Sequence, residues 1–210
     1  MKVREASDWL IDKYSIHAKD YIEYCGKEHW STDYPIESAE KALDDLAKSQ
    51  APTVLYFHMP YCPQQCYFCL CHFKITHDYE NIKRSLFYIG GEIDMLLARN
   101  KMPNFTEIHF GGGSPTYIRE REFEDLIGAA KLLARKPEEI SIEIDPRRVG
   151  TDRLHFYADL GVDRLSFGIQ EFDREVQQRI NRVQPPELIE NLLDFNVRRR
   201  FKSINFDMLI

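Results

Sequence analysis

The sequence is short of several things, and each shortage removes a class of protein. No stretch of its 210 residues approaches the roughly 18 consecutive apolar residues of a membrane-spanning helix, so no membrane partner is expected. The opening segment, MKVREASDWLIDKYS, is charged and has no apolar core of a secretory signal, so a cytoplasmic location is expected. Lys and Arg (28) are outnumbered by Asp and Glu (34), for a net charge of −6. Nucleic acid is not an expected partner, because phosphate binding draws on a cationic surplus. The basic run RRRFK at 198–202 reads as the solvated end of a helix, where cations are favoured. Neither an internal repeat nor a low-complexity segment is present, and a monomer is the expected state.

Cysteine is scarce too, and its placement matters more than its number. Of five cysteines, four fall at 62, 66, 69 and 71, while Cys25 stands alone. An odd, clustered set makes a poor disulfide framework for a cytosolic chain but suits metal binding.

Residues 1–50 carry no strong strand signal and are treated as an N-terminal extension. Within it, Ser38 to Lys48 reads as a short helix with Ser38 as its N-cap. From residue 51 to 210 short apolar runs alternate with helical patterns. The runs are 54–58, 107–110, 140–144, 164–168 and 204–210; the helices are predicted near 79–99, 119–134, 151–160, 173–181 and 187–199. Asp78 and Thr151 are the expected N-caps of the first and third. Ile82, Leu86, Ile89, Ile93, Leu96 and Leu97 recur with a period near 3.6. Strands alternating with helices predict βαβ units and a parallel sheet. Several runs also alternate apolar with polar residues: Ser141, Glu143 and Asp145; Ser166, Gly168 and Gln170; Asn205 and Asp207. A side-chain period of two gathers each polar set on one face, and α/β barrels place their chemistry at the C-terminal ends of such strands. The sequence stops at the fifth run, whereas a closed eight-fold barrel needs about 250 residues. It is expected to be a piece of a longer protein.

The cysteine segment, HMPYCPQQCYFCLCHF, follows the first strand directly. Cys62, Cys66 and Cys69 have the spacing C-x3-C-x2-C, compact enough to wrap one cluster. The usual all-cysteine [4Fe–4S] site takes four thiolates; three leave one iron open, as catalytic metal sites keep a position for the reactant. Structural zinc is the alternative, with Cys71 or His72 as fourth ligand, giving a zinc-stabilised binding module. Zinc ribbons pair two C-x2-C units, however, and no second unit is present. Cys71 is a candidate for a role beside the substrate, the alternative being a packed thiol. His58 shares one strand face with Tyr56 and is a second catalytic candidate; a buried histidine satisfied by backbone is its alternative reading.

With these segments the sequence resembles the radical S-adenosylmethionine (SAM) superfamily, and within it the oxygen-independent coproporphyrinogen III oxidases. The carriers are LYFHMPYCPQQCYFCLC, IHFGGGSPTY, ISIEIDPR, DRLSFGIQEF, INRVQ and INFDMLI, from about Tyr34 to Ile210. The resemblance implies an α/β fold: a partial (β/α)6 radical SAM barrel, truncated after the fifth strand, with a short N-terminal extension. It implies a [4Fe–4S] cluster on Cys62, Cys66 and Cys69, and two SAM molecules. Tyr56, Gly112 and Glu143 match positions that contact the cluster-bound SAM. Phe68, Gly113, Ser114, Gln170, Arg182 and Asp207 match positions that contact the second. The implied reaction is decarboxylation of coproporphyrinogen III, a tetrapyrrole, through a 5′-deoxyadenosyl radical, with a flavodoxin-type electron donor. A haem-utilisation methyltransferase or haem-handling relative is the neighbouring alternative. The sequence departs from the oxidase pattern at Leu70, where a small glycine is expected, and at His109, where an aromatic Trp is expected. A leucine at 70 is expected to crowd the second SAM or reshape its pocket.

Overall fold

The computed structural model describes Asp33 and residues 35–209. Cys25, most of the N-terminal extension and Ile210 at the end of the fifth run lie outside the described residues. The chain divides into two compact units, one reaching to Ala42 and the other running from Leu43. Helix α1 (Ile36–Ser49) starts two residues before Ser38. Ser38 is therefore inside the first turn rather than capping it, its N–H bonded to the Pro35 carbonyl at 3.0 Å.

The second unit is a five-stranded parallel sheet. Its members are β1 (Pro52–Met59), β4 (Asn104–Gly112), β5 (Glu139–Ile144), β6 (Arg164–Gln170) and β7 (Ser203–Met208), in that order across the sheet. All five predicted runs are strands, each neighbouring pair is parallel, and sequence order is sheet order. Parallel neighbours need a crossover between them, and the helices supply it. Two short strands, β2 (Tyr61–Cys62) and β3 (Lys74–Ile75), pair with each other and bracket the cysteine segment. Two residues are too few for any hydrophobic period to announce them.

Helix α2 (Tyr79–Leu97) begins where predicted, with the Asp78 carboxylate accepting from the Glu80 N–H at 3.0 Å. Of its apolar series, Ile82 and Ile93 are buried and Leu86, Ile89 and Leu96 pack against the core; Leu97 is turned outward at 40% exposure. Helix α3 (Glu120–Leu133) buries Phe123, Leu126, Ile127 and Ala130. Helix α4 (Thr151–Asp159) corrects one expectation: Gly150 is its N-cap and Thr151 its first helical residue, with no side-chain cap bond. Helix α5 (Arg174–Arg179) is capped by Asp173, which accepts from the Glu175 and Val176 N–H groups. The last predicted helix is two: α6 (Pro186–Leu192) and α7 (Phe195–Arg198). Asp194 breaks it by capping a new turn, accepting from the Val197 N–H at 2.8 Å.

The core lies between one sheet face and helices α2, α3, α4, α6 and α7. A run of aromatic contacts crosses it: Phe57 on Phe110 at 5.2 Å, Phe110 on Phe123 at 5.0 Å, and Phe123 on Tyr157 at 5.0 Å. Phe110, Phe123 and Tyr157 are wholly buried, each contributing about 1.5–3 kcal/mol by the usual transfer scale. Along β6, buried Leu165, Phe167 and Ile169 alternate with half-buried Ser166, Gly168 and Gln170. The polar face opposite the core is where the site is built.

Candidate active site

Because all five strands run the same way, their C-terminal ends meet at one end of the sheet. A cavity of about 240 Å³ opens there. The cysteine loop supplies Cys62, Cys66, Phe68, Cys69 and Cys71 to its wall, and the turn after β4 supplies Gly112, Gly113 and Ser114. Glu143 comes from β5, Gln170 from β6, Arg182 from the segment after α5, and Asp207 from β7. Every candidate named from the sequence except Tyr56 and His58 therefore lines one cavity.

The cysteine loop is held at three places. Lys74 N–H bonds the Pro60 carbonyl at 2.7 Å and Thr76 N–H the Cys62 carbonyl at 3.0 Å, which closes the loop at its base. The Asn181 side chain donates to the Gln65 carbonyl at 2.7 Å, while Gln64 donates to Asn181 Oδ1 at 2.9 Å. Tyr67 N–H bonds the Ile180 carbonyl at 3.0 Å. Asn181 can do this because it adopts a left-handed backbone (φ 55°), a conformation asparagine tolerates better than most residues. The INR segment thus acts as a buckle on the cysteine loop.

The glycine turn fits against the same loop. Gly113 N–H bonds the Met59 carbonyl at 2.7 Å, and a Cβ there would lie 3.1 Å from Cys62 Sγ. Gly112 has φ +106° and room for no side chain, since a Cβ would sit 2.7 Å from the His58 ring. Its N–H donates to Glu143 Oε2 at 3.1 Å. The other carboxylate oxygen is 3.4 Å from His109 Nε2, and His109 Nδ1 is 2.7 Å from Ser141 Oγ.

Among the described thiols Cys66 is the most buried, at 7% exposure. Arg182 Nη1 approaches its sulfur to 3.5 Å and Arg147 Nη2 to 3.8 Å. Asp145 lies between the two arginines, accepting from Arg147 Nε at 2.9 Å and Nη2 at 2.8 Å. Burial alone raises the Asp145 pKa, but the Arg147 hydrogen bond and the Arg182 and Arg147 charges outweigh it and hold the carboxyl below its ordinary range. The Cys62 thiol is pushed up to about 12, first by burial and then by Cys69, Cys66, Asp145 and Cys71. The Cys71 thiol rises to about 11, by burial and then Cys69. Crowded, partly desolvated thiols such as Cys62 and Cys71 hold their protons unless a cation replaces them, and a coordinating metal removes a thiol proton outright.

Tyr56 and His58 lie beside the cavity rather than on its wall. Tyr56 Oη and His58 Nδ1 are 3.1 Å apart, and His58 Nε2 is 2.6 Å from the His72 carbonyl. His58, half-buried, thus ties β1 to the end of the cysteine loop. Tyr56 stacks on His109 at 5.6 Å. Burial, then Glu143 and Cys71, push its hydroxyl up to about 12, so it is a proton donor at neutral pH. Leu70 is 91% exposed and does not line the cavity, so the expected crowding does not arise in this geometry. Sequence reading passed over Asp145 and Arg147 as site residues, although Asp145 shares the polar parity of Ser141 and Glu143.

The donor set suits a cluster. Cys62, Cys66 and Cys69 share one cavity with the side-chain-free glycine turn that a ligand needs for close approach.

These features define a radical SAM domain. The model of the radical SAM superfamily matches residues 56–210, and the chain belongs to that superfamily. Membership implies a [4Fe–4S] cluster and SAM, which Cys62, Cys66 and Cys69 and the glycine turn can accommodate. Among relatives, the oxygen-independent coproporphyrinogen III oxidase of Helicobacter pylori is 32% identical over 210 residues, covering 95% of this chain and 46% of the relative. The oxidase of that name from Escherichia coli is also 32% identical, covering 96% of this chain and 45% of the relative. The solved structure of coproporphyrinogen III oxidase (HemN) from Escherichia coli, described as a radical SAM enzyme, superposes with a TM-score of 0.78 at 30% identity. That match covers 97% of this chain and 45% of the solved one. The chain thus spans less than half the length of these relatives. Among the described residues no helix is long and apolar enough to cross a membrane.

Proposed function

We propose that this chain is the cluster- and SAM-binding part of a radical SAM oxidoreductase that decarboxylates coproporphyrinogen III to protoporphyrinogen IX in haem biosynthesis. The observation that carries the reading is the convergence of Cys62, Cys66 and Cys69 with Gly112, Gly113, Glu143, Gln170, Arg182 and Asp207 on one cavity. When bound, the cluster and SAM supply one-electron cleavage of a sulfonium and a radical able to take hydrogen from a propionate side chain. Cys62, Cys66 and Cys69 would hold the cluster and leave a position open for SAM. Gly112 would let the backbone reach that SAM without a Cβ between. Glu143, fixed by the Gly112 N–H and His109, offers acceptor oxygens to an ammonium or a ribose hydroxyl.

Arg182 presents a planar fork suited to a carboxylate; with Phe68, Gly113, Ser114, Gln170 and Asp207 it would form the place for a second SAM. Cys71, on the cavity wall, and His58, behind it, are the groups available beside the substrate. The electron donor is a flavodoxin-type protein. The hydrogen atom would pass to the 5′-deoxyadenosyl radical, and the substrate radical would then lose carbon dioxide and give one electron to a one-electron acceptor, leaving a vinyl group.

The test is anaerobic reconstitution with iron and sulfide, followed by assays of SAM cleavage and of vinyl formation from coproporphyrinogen III. Replacing any one of Cys62, Cys66 or Cys69 by alanine is expected to abolish both cluster loading and SAM cleavage. Unchanged iron content and cleavage in those variants refutes the reading. Because Leu70 and His109 depart from the oxidase pattern, methyl transfer to haem is assayed in parallel. Methyl transfer without vinyl formation would assign the haem-utilisation activity instead.

A further inference from the structure

Cys66 stands apart from the other thiols in its electrostatic surroundings. Its sulfur faces two guanidinium groups, Arg182 at 3.5 Å and Arg147 at 3.8 Å, at a nearly buried position. One of the two has been given a ligand-binding role above; Arg147 has none. Its orientation is set by Asp145 rather than by solvent. The carboxylate takes both Arg147 Nε and Nη2, and also its backbone N–H at 3.1 Å, so the Asp-Pro-Arg turn at the end of β5 locks the guanidinium in place. The same carboxylate lies 3.7 Å from Arg182 Nη2. Two guanidinium groups therefore face the Cys66 sulfur, with the Asp145 carboxylate bound to both of them. Burial at 14% side-chain exposure for Arg147 and 10% for Asp145 keeps these charges from being screened by water.

We propose that Arg147 sets the reduction potential of the cluster at Cys66, through its charge and its N–H···S contact. The argument rests on the cluster reading above. Adding one electron makes the cluster more negative, and a fixed cation beside a ligand sulfur stabilises that form. Hydrogen bonds to the sulfurs and net local charge are among the levers that move cluster potentials. Asp145 has two opposed effects: it aims Arg147, and its own charge partly cancels it. A merely structural salt bridge predicts no such opposition.

The experiment is a redox titration of the anaerobically reconstituted protein, with dithionite as reductant and mediators present. The reduced cluster is read by its electron paramagnetic resonance signal. Arg147→Met removes the cation. At a fixed solution potential it is expected to lower the ratio of reduced to oxidised cluster about tenfold, a shift of about 59 mV to more negative values for a one-electron couple. Asp145→Asn keeps the Oδ1 acceptor that holds Arg147 Nε and the Arg147 backbone N–H, so the aim is retained while the negative charge is removed, and the ratio is expected to rise. Opposite shifts at wild-type iron content support the proposal. Shifts of the same sign, or none, overturn it. Should Arg147→Met fail to load, Asp145→Asn and the charge-conserving Arg147→Lys decide. An unmoved Asp145→Asn, or an Arg147→Lys shifted as far as loss of the charge predicts, overturns the assignment. Absence of iron from the reconstituted wild-type protein overturns the cluster reading itself, and this proposal with it.

Discussion

Replacing Gly113 by alanine tests whether the cysteine loop and the glycine turn are as tightly joined as the geometry indicates. A methyl at that position would lie 2.9 Å from the Met59 carbonyl oxygen, 3.0 Å from the Tyr61 carbonyl oxygen and 3.1 Å from Cys62 Sγ. Two of these are backbone atoms, which cannot step aside as a flexible side chain can. Gly113 N–H is also bonded to the same Met59 carbonyl at 2.7 Å, so relief must stretch that bond or shift Cys62. Overpacking of this kind costs about 1–3 kcal/mol. At roughly 2–4 °C per kcal/mol for a domain of this size, the melting temperature should fall by about 2–12 °C. Iron content after reconstitution should fall with it, because the displaced residue is a proposed cluster ligand. Gly128 serves as the control. It is exposed on α3 with nothing within 4 Å of a Cβ, and Gly128→Ala should stabilise by about 0.5–1 kcal/mol. Calorimetry and iron assay on both variants decide. A Gly113→Ala protein with wild-type melting temperature and iron content would refute the packing argument.

Phe110→Ala, at the centre of the aromatic run and wholly buried, should cost about 3–5 kcal/mol in denaturant unfolding. Tyr157 is wholly buried, and burial raises its hydroxyl pKa above the ordinary 10 despite the opposing Arg153 charge. Its stabilising contribution is full below the unfolded value and lost as pH rises toward the folded one. Between about pH 9 and 11 the wild-type melting temperature should therefore fall more steeply than that of Tyr157→Phe, and parallel curves would contradict this.

The sheet was legible because each strand carries its own signature. The helices crossing between them show apolar spacing long enough to read, and Asp78 announces α2 by its chemistry. Corrections came where a backbone group or a short side chain took over a task. The Pro35 carbonyl opens α1 ahead of Ser38, Gly150 precedes α4 in the place given to Thr151, and Asp194 starts a fresh turn inside an otherwise continuous helical pattern. The cysteine motif was legible by spacing alone. What fastens it was not: Asn181 reaches Gln65 across 116 residues, and no local pattern records such a bond. Arg147 and Asp145 were likewise hidden, because a sequence gives the parity of Asp145 but not the sulfur toward which its partner is turned.

Gln170 shows how far parity can be carried and where it needs help. Counting by twos along β6 places Gln170 with Ser166 and Gly168, and all three line the cavity. Yet the strand does not stay regular to that point. Register with β7 shifts between Gly168 and Gln170, and Gln170 has a left-handed φ of 69°, a conformation that costs a non-glycine residue of order 1–3 kcal/mol. Something must hold it there. The buried Gln184 side chain donates to the Gly168 carbonyl at 3.1 Å and to the Ile169 carbonyl, and the Leu209 N–H takes the Gln170 carbonyl at 2.9 Å. Gln184 is itself fixed by Gln177 and accepts from Arg182 Nε at 3.2 Å. The Gln184 side chain that supports the strained strand end through its Nε2 therefore also sets, through its Oε1, the guanidinium facing Cys66. Bulged strand, left-handed glutamine, arginine and cluster loop form one mechanical unit, and its strain is located at the residues proposed to meet the second SAM.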